Sequence, residues 1–305
     1  MNHARPFSAA AAILAAMLLI GLIDNFVVRI AEDGGLWQFH ALRSAMALPL
    51  IAALALFGLG VLRPKRVGWV MLRSSVVALA LVLYFGALGF LSVAEAAAGL
   101  FTAPLFVLVI SAVALGERIG PVRAAAACGG FAGVLLVLRP ETGGLSSATV
   151  MAVLAGFFYA IGAILTRRRC AEEPPLALLA GFFAVLGVVG LAGLAATALW
   201  PPSEAAQSFL SRPWASPTPA FLWWTFVQAV GSVAAVLLIV RGYQLADASF
   251  VSVFEYSLLI FAAAWAYLLR GELIDGSSLA GICLIIGSAV LIALRERVRM
   301  RAAQA

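Results

Sequence analysis

Two apolar stretches that each end in a Gly-Glu pair constrain the fold more than any other feature of this sequence. They run from Leu88 to Glu117 and from Ala246 to Glu272, so the closing glutamates are 155 residues apart. Within the second stretch, Ala248 to Leu269 supplies the roughly 20 apolar residues that a helix needs to cross a bilayer core. The repeat predicts a chain of two similar halves built from membrane-spanning helices.

The composition supports the same interpretation. Hydrophobic residues make up 64% of the 305 residues and charged residues only 11%, with a mean hydropathy of +1.07. Soluble domains, in contrast, are about half apolar and a quarter charged. The net charge of +6 does not indicate nucleic-acid binding, because the arginines are scattered over segment ends and do not gather on one face. We therefore expect an all-α integral membrane protein.

Apolar segments of membrane length predict ten transmembrane helices, five before the connection that follows Leu138 and five after it. The first segment carries Asp24-Asn25 near its end, where a cleaved signal peptide would have small residues, so we expect it to remain as the first span. The segments cover residues 7–28, 36–59, 68–91, 93–115, 122–138, 147–166, 175–199, 220–240, 248–269 and 276–294.

The basic residues predict the orientation of these spans. If the N-terminus is cytoplasmic, four basic residues fall on the outer side, namely Arg29, Arg139, Arg212 and Arg270, and Arg43 falls within a span. Because lysine and arginine concentrate on the cytoplasmic side of membrane proteins, both termini are predicted to be cytoplasmic. The cytoplasmic positions in this arrangement are Arg5, Arg63, Lys65, Arg66, Arg73, Arg118, Arg123, Arg167, Arg168, Arg169, Arg241, Arg295, Arg297, Arg299 and Arg301.

An odd number of spans in each half makes the second half cross the membrane in the opposite direction to the first. We therefore predict two inverted five-helix repeats at residues 1–140 and 146–297, followed by a basic cytoplasmic tail at 298–305. Inverted repeats around a midplane binding site are typical of secondary transporters. Glu117 and Glu272 lie at helix ends near arginines, and we predict structural roles for them.

Each half also carries a small-residue pattern before its Gly-Glu pair. The pattern runs from Leu91-Ser92-Val93-Ala94 through Pro104 to Gly116-Glu117, and from Ala246-Asp247-Ala248 through Tyr256 to Gly271-Glu272. With ten short spans over nearly the whole chain, the sequence resembles the EamA-type branch of the drug/metabolite transporter superfamily. The resemblance implies a carrier from a family that moves amino acids, nucleosides, vitamins, quaternary amines and drugs in either direction. It is similar to bacterial inner-membrane uptake carriers for riboflavin or S-adenosylmethionine.

Glu255 lies near the middle of the second stretch, and the matching position in the first half carries no charge. An ionised carboxylate that faced lipid would cost several kcal/mol, so the side chain is expected to face a protein interior or a water-filled cavity. A carboxyl group kept from water can exchange a proton near neutral pH. Glu255 is therefore a candidate proton-coupling group or the counter-ion of a cationic solute. Alternatively, Glu255 has a structural role, and Arg43 or a tyrosine pairs with its carboxylate.

Asp24, Arg43 and His40 are predicted to lie at similar depths on the outer side of spans one and two. A buried Asp24–Arg43 pair would neutralise both charges and join the two spans. Arginine also suits the bidentate recognition of a carboxylate, so the pair is equally a candidate anion clamp or gate. His40 shares the helical face of Arg43 and is a candidate proton relay.

Span eight carries Thr225, Gln228 and Ser232 on one face, and such a stripe either joins helices or lines a cavity. Gln228 is the binding candidate of the three because its amide both donates and accepts. Tyr159, near the middle of span six, either packs against a neighbouring helix or lines the site. Further candidates for an aromatic wall are Tyr84, Phe101 and Tyr256.

Other chemistry is not indicated. The sequence has no phosphate-binding loop, His3 and His40 are its two histidines, and the three cysteines have no metal-binding or redox spacing. We expect no cofactor, no metal and no enzymatic activity. The expected partners are a small-molecule solute, the lipid bilayer and, for coupled transport, protons. The repeat makes one chain sufficient for a central pathway, so a monomer is expected, with a homodimer as the alternative.

The predicted function is secondary transport of a small polar organic metabolite across the bacterial inner membrane by alternating access. Uptake of a riboflavin-like or S-adenosylmethionine-like solute is the first hypothesis. A proton-linked exporter of amino acids or drugs is the alternative. A membrane scaffold is the third reading, but it would not need a carboxylate at the midplane.

Overall fold

The computed structural model describes residues 5–302 except 88–89, 91–95, 97–98, 117–119, 139–146, 204–207 and 271–275. Every regular element in this part of the chain is a helix, which confirms the all-α prediction. The helices are α1 (Pro6–Asp24), α2 (Val27–Asp33), α3 (Leu36–Leu56), α4 (Val67–Ala87), α5 (Ala103–Val113), α6 (Pro121–Leu138), α7 (Ser147–Arg168), α8 (Pro175–Leu199), α9 (Pro219–Leu245), α10 (Ala248–Glu255), α11 (Ser257–Arg270) and α12 (Gly276–Ala302).

Six spans in the described ranges are long and apolar enough to cross a membrane: α1 together with α2, α3, α4, α7, α8 and α9. The predicted count of ten is not reached by this criterion, partly because α5, α10 and α11 are shorter than a membrane span. Glu117, Glu272 and the predicted boundary at residues 140–146 lie outside the described residues, so those predictions stay open. Helix α12 continues to Ala302, through the predicted start of the tail at 298.

Span nine is broken where the sequence predicted a continuous helix. Helix α10 ends at Glu255 and α11 begins at Ser257, whose hydroxyl donates to the Phe254 carbonyl at 2.7 Å. In the first half, 155 residues earlier, the Thr102 hydroxyl donates to the Gly99 carbonyl at 2.6 Å just before α5. These hydroxyls occupy carbonyl groups that a continuous helix would use, which is how serine and threonine compete with helical hydrogen bonds.

The helix pairing has an internal two-fold symmetry. The counterparts in the two halves are α1 and α7, α3 and α8, α4 and α9, α5 and the α10–α11 unit, and α6 and α12. Helices α3 and α8 pack against each other, as do α6 and α12. Because the two helices of each pair are counterparts, the symmetry swaps them and leaves the contact unchanged. Packing of α1 on α9 is matched by α7 on α4, and packing of α1 on α11 is matched by α7 on α5. Two similar halves of the sequence therefore fold into one interlocked bundle.

Small residues allow these helices to approach closely. A Cβ atom added to Gly133 of α6 would lie 2.7 Å from the Gly281 carbonyl oxygen of α12. A Cβ atom added to Gly190 of α8 would lie 2.7 Å from the Ala41 amide nitrogen of α3. Helices in a membrane associate through close packing of this kind, because lipid provides no hydrophobic force between them. The pairs α6–α12 and α3–α8 thus depend on glycine.

Two polar clasps join connections from different halves. The buried Glu173 carboxylate, between α7 and α8, accepts hydrogen bonds from the backbone of Lys65 and Arg66 at 2.7 and 2.9 Å. Arg212, between α8 and α9, donates to three carbonyl groups of residues 31–34 at 3.1–3.2 Å. Cys170 is buried beside the first clasp, and burial raises the pKa of its thiol, which disfavours the reactive thiolate.

We expect Gly133→Val to destabilise the protein, because the new side chain meets the backbone of α12. Overpacking of this kind costs about 1–3 kcal/mol. The measurement is the apparent melting temperature of the purified protein in detergent. Gly287→Val is the matched control, since a Cβ atom at Gly287 meets nothing within 4 Å. Equal melting temperatures for the two variants would contradict the close α6–α12 contact.

Candidate functional site

A cavity of about 130 Å³ lies among residues of both halves. Its wall is formed by α1, α3, α4, α7, α8 and α9, by the turn before α5 with the start of α5, and by the broken span α10–α11. Of the described residues, none from the α6–α12 pair belongs to the wall. The cavity has room for several water molecules and is mainly apolar. It is therefore a shared cavity built by the symmetric helices around the breaks.

Six of the eight predicted site residues lie on the cavity wall. The sequence anticipated spans one to four, six, eight and nine at the site, and the structure adds span seven through Phe182 of α8. The structure thus brings together residues that are far apart in the chain. The wall residues from the predicted set are Asp24, Arg43, Tyr84, Tyr159, Gln228 and Glu255.

Glu255 is held at the break of span nine. Its side chain is buried, and the Tyr159 hydroxyl donates a hydrogen bond to Glu255 Oε1 at 2.8 Å. Tyr243 lies close enough to interact with the carboxylate, although its own hydroxyl is buried without a hydrogen bond. A tyrosine, rather than Arg43, therefore satisfies Glu255. This arrangement places a carboxylate on the cavity wall without exposing it to lipid.

Asp24 is the last residue of α1 and is linked to α9 through Gln228. Gln228 Nε2 donates to the Ile23 carbonyl at 3.0 Å and to Asp24 Oδ1 at 3.3 Å. Ser232 in turn donates to Gln228 Oε1 at 3.0 Å. Two residues of the polar stripe of span eight therefore do what its sequence allowed, since Gln228 joins α9 to α1 and both Gln228 and Ser232 line the cavity. The Thr225 hydroxyl is buried without a hydrogen bond.

Arg43 is surrounded by aromatic rings. Its guanidinium carbon lies 5.2 Å from the Phe39 ring centre, 5.5 Å from that of Phe183 and 5.9 Å from that of Phe85, all within cation–π range. Asp24 is near enough for the two charges to interact, but the described atoms form no ion pair within 4.0 Å between them. The predicted Asp24–Arg43 salt bridge is therefore absent in this conformation.

His40 and Tyr256 belong to the predicted set but do not line the cavity. The His40 ring packs against Phe39 and Phe85, and both of its nitrogens are buried without a hydrogen-bond partner. Tyr256 is fully buried at the break of span nine, with its ring centre 6.4 Å from that of Phe101. Both side chains lie in the packed interior behind the residues that line the cavity.

The sequence analysis missed Arg73, which it counted as a cytoplasmic charge. The structure places Arg73 on the cavity wall, 3% exposed. Its Nε donates to the Thr166 hydroxyl at 3.0 Å, and its Nη1 is buried with no partner. A signal was present, since Arg73 shares the buried face of α4 with Val70, Val77 and Tyr84 at helical spacing.

The polar links follow the two-fold symmetry, but the chemistry does not. Arg73 and Gln228 are 155 residues apart, and each donates from its helix to a polar side chain of the partner helix, Thr166 and Asp24 respectively. Leu100, also on the wall, stands 155 residues before Glu255. One half therefore contributes a carboxylate at the break where the other contributes a hydrocarbon side chain.

Comparison with known proteins gives a consistent family assignment. The sequence profile of the EamA-like transporter family matches residues 7–139 and 146–294. A solved crystal structure superposes with a TM-score of 0.75 at 21% sequence identity, covering 96% of this chain and 99% of the other. That similarity shows a shared fold over almost the full length of both proteins.

Curated relatives at 24–26% identity are named as carriers. A riboflavin transporter of Vibrio cholerae is 25% identical over 243 residues, covering 79% of this chain and 76% of the relative. An S-adenosylmethionine uptake transporter of Rickettsia bellii is 24% identical over 66% of this chain and 63% of the relative. A pseudopaline exporter of Pseudomonas aeruginosa is 26% identical over 84% of this chain and 85% of the relative.

We expect Tyr159→Phe to destabilise the protein by about 1–3 kcal/mol, because it removes a donor from a buried carboxylate. In a Glu255→Leu background the same change is expected to cost little, and melting temperatures of the four proteins in this cycle measure the coupling. Tyr84→Phe is the control, since the described residues give the Tyr84 hydroxyl no hydrogen bond. An equal cost of Tyr159→Phe in both backgrounds would refute the coupling.

Proposed function

Because this chain belongs to the EamA-like transporter family, we propose that it is a secondary transporter of a small polar organic solute, working by alternating access around the central cavity. The proposal includes ten spans in two inverted repeats, a bacterial inner-membrane location and cytoplasmic termini. The observation that carries it is Glu255, a buried carboxylate at a helix break on the wall of a chamber shared by both halves. Broken helices around a midplane site are how secondary transporters expose polar groups to a solute.

The symmetric packing supports alternating access. The Gln228–Asp24 link joins α9 to α1, and the Arg73–Thr166 link joins α4 to α7. In the inverted topology these equivalent links lie toward opposite membrane faces, with Glu255 between them. Separating one helix pair while the other stays closed opens the cavity to one side, and the exchange of roles opens it to the other. The family fold thereby provides two related states of similar packing.

The wall chemistry suits a solute with both apolar and polar parts. Phe85, Phe101 and Phe182 offer aromatic surface, while Glu255 offers a carboxylate for a cation, a hydrogen-bond donor or a proton. The relatives named for riboflavin and S-adenosylmethionine support uptake of a polar, ring-containing metabolite. The second candidate is proton-linked export of amino acids or drugs, which the pseudopaline exporter supports. Because the cavity is complete within one chain, the proposal requires only a monomer.

We expect Glu255→Gln to lower the transport rate at least about tenfold, because glutamine keeps the size of the side chain but can neither carry the charge nor exchange a proton. The measurement is initial uptake of labelled riboflavin and labelled S-adenosylmethionine by cells that express the protein. Glu32→Gln is the matched control, since Glu32 is exposed and pairs with Arg29 outside the cavity. Wild-type rates in Glu255→Gln would remove Glu255 from the mechanism.

The same cells distinguish uptake from export. An uptake carrier raises accumulation of the labelled metabolite above that of cells lacking the protein. An exporter instead protects cells from toxic amino-acid analogues, and that protection is expected to disappear in Glu255→Gln. If the wild-type protein produces neither accumulation nor protection, the result contradicts the proposed function.

A further inference from the structure

The charges on the cavity wall are unequally satisfied. Glu255 accepts a hydrogen bond from Tyr159, and Asp24 accepts one from Gln228. Arg43 is surrounded by three aromatic rings and feels the charge of Asp24. Only Arg73 among these four wall residues has neither a carboxylate acting on it nor an aromatic cage.

Arg73 has one hydrogen bond, to a neutral hydroxyl. Its Nε donates to Thr166, whose own hydroxyl donates to the Gly162 carbonyl, and its Nη1 is buried without a partner. A guanidinium presents five donors and does not lose its proton in proteins. Leaving such a charge buried and unpaired is strongly unfavourable, so the arrangement is completed only when an anion reaches it.

We propose that Arg73 binds a carboxylate of the transported solute and so selects carboxylate-bearing solutes over matched solutes that lack the carboxylate. The inference rests on the proposed function, which requires a solute in this cavity. Guanidinium and carboxylate form parallel charge-assisted hydrogen bonds, the strongest planar match among side-chain groups. Arg73 is 3% exposed, so the interaction takes place where water screens it little.

Tyr159 connects this anion site to Glu255. It donates to Glu255 Oε1 at 2.8 Å, and the charge of Arg73 also acts on its hydroxyl. Arg73, Tyr159 and Glu255 all line the same cavity. A solute with its carboxylate at Arg73 directs its remaining polar groups toward Glu255, whereas the amide of the same solute leaves the guanidinium charge without a counter-charge.

The test compares acids with their amides or decarboxylated forms on the purified full-length protein in detergent. The probes are L-phenylalanine against L-phenylalaninamide, and S-adenosylmethionine against decarboxylated S-adenosylmethionine. Binding is measured by titration in wild type, Arg73→Gln, Arg73→Lys and the control Arg29→Gln. Arg29 is exposed and away from the cavity.

We expect the wild type to bind at least one acid about tenfold or more tightly than its matched partner, and Arg73→Gln to abolish that preference. Arg73→Lys is expected to keep part of it, because lysine supplies a charge without the planar fork. Arg29→Gln is expected to match the wild type. An equal loss of affinity for acids and their partners in Arg73→Gln would show a structural role and overturn the inference.

The wild-type protein tests the inference even where a variant fails to fold. A wild type that binds neither acid, or that binds the amide or decarboxylated form as tightly, overturns the role of Arg73. The transporter proposal fails separately, through uptake and protection assays in which Glu255→Gln and wild type do not differ. Activity that is lost in Glu255→Gln while Arg73→Gln keeps the wild-type acid preference leaves the transporter standing and removes this inference alone.

Discussion

The need to keep a carboxylate away from lipid while leaving it on the wall of a cavity organises this protein. Glu255 meets both requirements because the helix that carries it ends at that residue and Tyr159 donates a hydrogen bond to it from α7. Ser257 holds the break by capturing the Phe254 carbonyl. Removing either support would leave polar groups unpaired in an apolar interior, which is costly. The cavity, the break and the helix packing around them are therefore parts of one arrangement.

The two halves are equivalent in their helix packing but differ in the side chains that they place on the cavity wall. The two halves contribute equivalent helix pairs, equivalent breaks and equivalent links between α1 and α9 and between α7 and α4. At equivalent positions, however, the side chains differ in chemistry. Leu100 corresponds to Glu255, and Arg73 corresponds to Gln228. A repeat with identical side chains in both halves would build a symmetric cavity that makes the same contacts with both ends of a solute. This chain instead has a guanidinium and a carboxylate at distinct places on the wall of the cavity.

Much of this could be predicted from the sequence, because membrane energetics act on single residues. The apolar segments predict helices, and Glu255 stands out since a carboxylate within such a segment must face the interior. The depth of Arg73 was not predicted despite its helical spacing with the buried face of α4, because an arginine near a helix start usually extends its long side chain to the membrane surface. His40 shares a face with Arg43, yet only the longer side chain reaches the cavity. Tyr256 is buried at the break and does not line the cavity, and its place in the sequence next to Glu255 gave no sign of this.

The most direct test of the central claim is access to the cavity from both sides of the membrane. Ser232 lines the cavity beside Gln228, so Ser232→Cys in a background without Cys128, Cys170 and Cys283 provides a unique reporter. A membrane-impermeant thiol reagent would be applied to right-side-out and inside-out vesicles. The account predicts labelling from each side in turn, slowed by a bound solute. Labelling from one side only, under all conditions, would contradict alternating access around this cavity.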